Sequence, residues 1–315
     1  MVSRHPIISV MTICLLLASC RSFASTSPTP FDQTPLEPDP ASEPTSLPDT
    51  PTPAPDYVTR IRNAEYQLGL TDGLRIVQLT DGKFEQGSPG GVDSISVTVT
   101  DFAARGDLNG DGFDEYAAMI AENYGGTGAF VFLVVFADVN GKLVFQTSIL
   151  VDDRPLLKAL SIADGEVFLD ATTHSSDDPM CCPTLKTERH YRLVNNHLRM
   201  TDYVTFTPDD RPRTITIESP VNGTEVFRSV PIKGSVAIAP FENNLVYRIY
   251  DLGGVELAIG SISVSAADLG ALGRFEQTIL LGNILSGTVI RFEVQDVNAE
   301  DGSLFAMDSV ELVVK

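Results

Sequence analysis

LVYRIYD at 245–251 and VELAIGSISV at 255–264 carry the reading that decides the fold. Both are short apolar-rich runs bounded by turn residues, which reads as a pair of strands. The intervening Leu252-Gly253-Gly254 reads as a turn. Outward from this pair the same short pattern repeats. Thr214–Ile217, Glu225–Phe227 and Val230–Ile238 precede it, and Gly273–Leu281, Thr288–Val294 and Ser309–Val314 follow. Ser219-Pro220 and Asn222-Gly223 supply turn signals between them.

About seven short strands in roughly 100 residues suit a two-layer immunoglobulin-like sandwich. The paired cysteines and core Trp of antibody domains are absent. This second unit covers 213–315. The first, 57–205, is expected to be β-rich with a helix at its start, so the whole chain is mainly β with an α+β N-terminal domain. Asp56 caps a predicted helix over Tyr57–Leu68. Predicted strands are Leu74–Leu79, Ser94–Thr100, Glu115–Glu122, Ala129–Val139, Leu143–Val151, Leu156–Ile162, Glu166–Thr172 and His190–Val194. Ala129–Val139 is almost continuously apolar and so interior to its sheet. Asn140-Gly141 and Asp164-Gly165 are tight hairpin turns. Thr205–Arg213 reads as a spacer.

Several segments of the second unit are similar to the Gmad2 family, the immunoglobulin-like domain of bacterial spore germination proteins. They are Ile217-Glu218-Ser219-Pro220, Val226, Ile232-Lys233-Gly234, Phe241-Glu242, Tyr247-Arg248-Ile249-Tyr250-Asp251, Gly254, Gly273-Arg274-Phe275, Glu293-Val294 and Asp301-Gly302-Ser303. The resemblance implies a sandwich and a context, not a mechanism. Read structurally, Phe241 and Phe275 belong to the core and Asp301-Gly302 to a hairpin. In the first unit, Asn63-Ala64-Glu65-Tyr66, the Gly106–Gly112 stretch, Gly125–Phe130 and Asp178-Pro179-Met180 resemble a small domain of exported bacterial proteins with no established activity.

The N-terminus carries an address. Arg4 and His5 precede an apolar run from Pro6 to Ala18, too short to span a bilayer comfortably and of the right length for a signal peptide. Leu17-Ala18-Ser19-Cys20 resembles the bacterial lipobox, which implies cleavage of residues 1–19 and acylation of Cys20. More than one acyl chain holds a protein firmly to a membrane. Residues 20–56 are dominated by Pro, Ser, Thr and acids, too polar to form a core and stiffened toward polyproline II. The expected location is the outer face of the cell membrane. The formal charge of −20, at pI about 4.4, repels both nucleic-acid phosphates and anionic lipid head groups. No nucleic-acid partner is expected, and attachment rests on the lipid.

One local motif points to an ion. Asp107-Leu108-Asn109-Gly110-Asp111-Gly112-Phe113-Asp114-Glu115 places side-chain oxygens at loop positions one, three, five and nine. Calcium takes six to eight oxygens, and such spacing wraps several around one ion. The expected ligands are the side chains of Asp107, Asn109, Asp111 and Glu115 with the Phe113 carbonyl. An EF-hand needs a bidentate Glu at position twelve, where Ala118 stands. The pattern resembles the loops of FG-GAP or dockerin type, with Glu115 where Asp is usual. The bland alternative is an acidic, Gly-rich turn without metal. Gly125–Gly128 lacks the G-K-[ST] of a phosphate loop and reads as a turn into a strand.

Cys181 and Cys182 lie in a loop by composition and are expected either to join in a vicinal disulfide or to stay reduced. No catalytic set is legible. The leading expectation is a non-enzymatic envelope lipoprotein that binds a wall component or an envelope protein. The alternative is a hydrolase or thiol enzyme within 57–205, its cysteine served by His174 or His190.

Overall fold

The computed structural model describes residues 56–71 and 74–315. The expected signal segment, Cys20 and the Pro-rich tether up to residue 55 lie outside the described residues. Helix α1 (Tyr57–Ile61) is one turn long, shorter than expected. The reason is periodicity. Ala64, Tyr66 and Leu68 are all buried, and only an extended chain puts every second side chain on one face. The chain therefore leaves the helix and forms β1 (Glu65–Gln67), which pairs antiparallel with β2 (Ile76–Gln78).

A five-stranded antiparallel meander follows: β3 (Lys83–Gln86), β4 (Ile95–Gly106), β5 (Glu115–Asn123), β6 (Phe130–Val139) and β7 (Lys142–Asp153). β5 and β6 are apolar at nearly every position because both faces are covered. On one side Ile120, Phe132, Val134 and Phe136 pack with Ile61, Tyr66, Leu68 and Val77. On the other, Ala117, Met119, Leu133 and Val135 meet Val167, Leu169, Ala171 and Tyr191. Val167, Leu169 and Ala171 belong to β9 (Glu166–Thr173) and Tyr191 to β10 (Leu185–Val194), in a layer flanked by β8 (Leu156–Ala163) and β11 (His197–Phe206). Asn140-Gly141 and Asp164-Gly165 both hold positive φ at their two residues, as the tight-turn reading requires. So do Asn195 and Asn196, a hairpin signal the sequence reading passed over.

The C-terminal part has two facing sheets. Its strands are β12 (Pro212–Arg213), β13 (Ile215–Ser219), β14 (Thr224–Val226), β15 (Ser229–Val236), β16 (Asn244–Asp251), β17 (Glu256–Ser263), β18 (Ser265–Ala266), β19 (Gly273–Leu280), β20 (Val289–Val297) and β21 (Leu304–Val314). One sheet runs β13-β15-β19-β18; the other contains β17-β16-β20-β21, with β14 parallel to the end of β21. Between them lie Ile217, Ile232, Leu245, Phe275, Phe292 and Val294. Phe275 is buried as expected. Phe241 is not: it is 68% exposed in a short 3-10 turn, because Pro240 and the turn carry it past the end of the sandwich. Gly234 has a structural reason, since a Cβ there would strike the Phe275 ring and the Thr216 carbonyl.

The two parts share one sheet. β11 pairs antiparallel with β21 through Asp202↔Asp308, Tyr203↔Met307 and Val204↔Ala306. The ladder thus runs β17-β16-β20-β21-β11-β10-β9-β8 without a break. Side chains reinforce this seam. Thr205 Oγ1 donates to the Phe305 carbonyl at 2.6 Å, Ser309 Oγ to the Thr201 carbonyl at 2.9 Å, and Arg291 Nη1 to the Met200 carbonyl at 2.9 Å. The Thr205–Arg213 stretch is no slack spacer. It folds back so that β12 pairs with the end of β11.

Candidate functional site

The Asp107–Glu115 loop joins β4 to β5, and its own side chains turn its backbone. Asp107 Oδ1 accepts from Gly110 N at 2.7 Å and its Oδ2 from Gly112 N at 2.9 Å. Asn109 Oδ1 accepts from Asp111 N, and Asp111 Oδ1 from Phe113 N, each at 2.8 Å. Gly110 and Gly112 sit at φ 79° and 87°, which residues with a Cβ rarely adopt. The backbone N–H groups, Gly112 first, hold the Asp107 carboxyl below its ordinary range.

Glu115 behaves differently. It is 3% exposed, and it accepts from Leu108 N at 2.8 Å and from Asn109 Nδ2 at 2.9 Å. Burial raises its pKa; the Leu108 N–H opposes the rise, while Asp111 and Asp107 add to it by repulsion. The donor set is all oxygen, the chemistry calcium prefers. Asn109, Asp111 and Phe113 are exposed and Asp107 is half-buried, whereas Glu115 is turned onto the loop's own N–H groups. Among the described residues no three His, Cys, Asp or Glu side chains are gathered so as to hold a metal.

The loop also forms one wall of a cleft of about 480 Å³ at the seam. The Asp164-Gly165 turn, Arg192–Val194 and Glu311 of β21 complete it. Asp107, Asp164 and Glu311 supply acids, and Arg192 the opposing charge, although Arg192 Nε is already 3.2 Å from Glu166.

A second acidic group, which the sequence reading missed, lies on the seam itself. Asp202 stands opposite Asp308 across β11 and β21, and opposite His190 across β11 and β10. Asp308 Oδ2 accepts from Ile217 N at 2.7 Å. His190 Nδ1 lies 3.3 Å from Glu166 Oε2. Burial, then repulsion from Asp308, pushes Asp202 up to about 7. Burial pushes Asp308 up to about 6. Glu166 raises His190, and His190 in turn lowers Glu166. The sequence held no signal for this group, because it is assembled by pairing strands about a hundred residues apart.

The sheets closing over Phe275 and Phe292 are the observation that sorts the C-terminal part. Residues 214–303 match the Gmad2 family. Gmad2 is described as the immunoglobulin-like domain of bacterial spore germination. No curated protein matches the chain. The match marks this part as an immunoglobulin-like β domain. It ends just before β21, the strand that completes one Gmad2 sheet and also joins it to the rest of the chain.

Away from the Gmad2 part, Cys181 and Cys182 are bonded to each other in an exposed loop. Asp178 pins that loop by accepting from Ser175 N and Thr184 N at 2.9 and 2.7 Å. Those donors, Ser175 first, pull the Asp178 carboxyl down to about 2. The two histidines considered as bases for a thiol face carboxylates instead. His174 Nδ1 lies 2.9 Å from Asp152, and His190 faces Glu166. Gly125–Gly128 bends into β6, with Asn123 Nδ2 donating to the Gly126 carbonyl at 2.9 Å.

Proposed function

We propose that this chain is a non-enzymatic cell-envelope lipoprotein, held by a lipid on Cys20, whose β body binds or braces a wall component or another envelope protein. The observation that carries the reading is the continuous sheet. It fuses the Gmad2 part and the preceding β layers into one body, with an acidic cleft where they meet. The bonded state of Cys181 and Cys182 supports binding over thiol chemistry, which needs a thiolate.

Two measurements test this. Cys20→Ala should move the protein from the membrane to the soluble fraction; retention of the variant on membranes would sink the anchor. Crosslinking in intact cells followed by capture of the chain should then recover a defined envelope component with wild type and lose it with Cys20→Ala.

Calcium belongs to the same proposal as a stabiliser of the β4–β5 loop. Asp107, Asn109, Asp111 and the Phe113 carbonyl would hold it, and Glu115 would join only by releasing Asn109 Nδ2. Millimolar calcium should raise the melting temperature, and Asp111→Ala should abolish the rise. Absence of both heat and a melting shift in wild type would remove the ion from the proposal.

A further inference from the structure

At one end of the Gmad2 sandwich a cavity of about 460 Å³ opens between Arg213, the 238–241 turn, Leu269-Gly270 and the 296–300 loop. Its walls are mainly apolar. Ile238 and Ala239 are buried in it, Val297 and Phe305 line it, and Phe241 and Leu269 stand at the rim, each 68% exposed. The displaced Phe241 is thus a wall of this cavity rather than part of the core.

Sunk among these groups is Asp296, only 6% exposed. Among the described residues no hydrogen bond or ion pair is formed to its carboxylate; burial and the field of Arg213 are what act on it. Arg213 does not reach it, because its guanidinium is stacked 4.6 Å over the Phe305 ring. The Asp296 oxygens open to the cavity rather than being sealed in the fold, so their hydrogen bonds must come from whatever fills it. Among the described residues, the other carboxylates this deeply buried have donors: Glu115 takes the Leu108 N–H, Glu122 two tyrosine hydroxyls, Asp153 the Ala129 N–H, and Glu293 is paired with Arg291. Asp296 instead leaves its acceptor oxygens in an apolar hollow of the size that small ligands occupy.

We propose that this cavity binds a small organic cation: an ammonium head paired with Asp296 and an apolar body laid against Phe241, Leu269 and Phe305. Charge favours that occupant. Asp296 and Glu300 outnumber Arg213, and Arg213 is already committed to an aromatic face. The apolar walls exclude a bare, strongly hydrated inorganic cation, which would lose its water without gaining oxygens. Neither the lipid anchor nor the calcium loop enters this inference, so it stands or falls apart from them.

Three probes separate the contributions: 2-phenylethylammonium, its neutral counterpart 2-phenylethanol, and methylammonium. Calorimetry or ligand-observed NMR on the full chain at neutral pH should show saturable binding of the first alone. Asp296→Asn should weaken 2-phenylethylammonium about tenfold or more, the loss of a charge-assisted bond, without changing the response to 2-phenylethanol. Leu269→Ala, at the exposed rim, should weaken it severalfold and supplies the readout if Asp296→Asn does not fold. Equal binding of the alcohol, an equal response to methylammonium, indifference to both substitutions, or no saturable binding of the arylammonium would each overturn the proposal.

Discussion

Glu122→Gln is expected to destabilise the fold by about 3 kcal/mol, read as a fall in the urea midpoint with an unchanged m-value. Glu122 lies on β5 and is fully buried. Its Oε1 accepts from Tyr66 OH at 2.6 Å and from Gly69 N at 2.8 Å, and its Oε2 from Tyr124 OH at 2.5 Å. All three donors point inward at a carboxylate. Glutamine offers one oxygen and one NH2, so the Tyr124 hydroxyl must turn to accept from the NH2, and all three donors lose a charged acceptor. Hydrogen bonds to a buried charge are worth about 1.5–3 kcal/mol each, roughly twice those to a neutral amide, so the loss summed over three bonds is about 3 kcal/mol. Burial and the Glu122 charge raise both phenols above their ordinary range, so they remain donors throughout the neutral region. Tyr66→Phe removes one of the three donors and leaves the carboxylate the other two, and should cost about 1.5 kcal/mol. Because Tyr66 and Gly69 tie the β1–β2 ribbon to the sheet, Glu122→Gln should also speed amide exchange at 65–68. An unchanged midpoint would show that this carboxylate does not hold the ribbon.

The second large effect is a stability that falls as pH rises. Asp202 and Asp308 keep their protons in the fold up to about 7 and about 6, against an ordinary 3.8 in the unfolded chain. Between these values the folded state binds more protons than the unfolded one, so stability declines as pH rises through the window. His190, raised above its ordinary 6.5, acts in the same direction: its contribution is full below 6.5 and lost as pH passes its folded value. Glu166 acts oppositely, giving stability above its ordinary 4.5 that is lost on acidification. Glu188 also faces this group and adds to the repulsion on Asp202. The maximum should lie near pH 5, with a loss on the order of 3 kcal/mol by pH 8 once screening and the shared repulsion are counted. Asp202→Asn should flatten the profile and raise stability at pH 8. Urea unfolding across the pH range measures both, and a profile that climbs from pH 5 to pH 8 would contradict the assignment.

Much of the architecture was legible because strand periodicity is local. The β4, β5, β6, β9, β16 and β19 strands fall where alternation or apolar runs put them, and Asn140-Gly141 and Asp164-Gly165 turn as their chemistry requires. β11 was not legible. Arg199, Met200, Thr201 and Asp202 are all half-buried, and an irregularity in the β10–β11 register breaks the alternation near Asp202. Its other partner, β21, lies about a hundred residues away, so no window of sequence holds both. The calcium spacing was readable as oxygens at regular intervals. The direction of Glu115 was not, because burial at the start of β5 turns it inward. Phe241 looked like core because it is large and apolar, and only the path of the chain after Pro240 shows it at the rim.

The β11–β21 joint also determines where this protein can be cut. The border of the Gmad2 match is a border in sequence, not in hydrogen bonding. A fragment beginning at Arg213 would bare the flank of β21 from Ala306 to Asp308, the row now satisfied by β11. Bared strand edges recruit other strands, in register or out of it. The first half thus covers an edge of the second that would otherwise be open to another copy of the same domain.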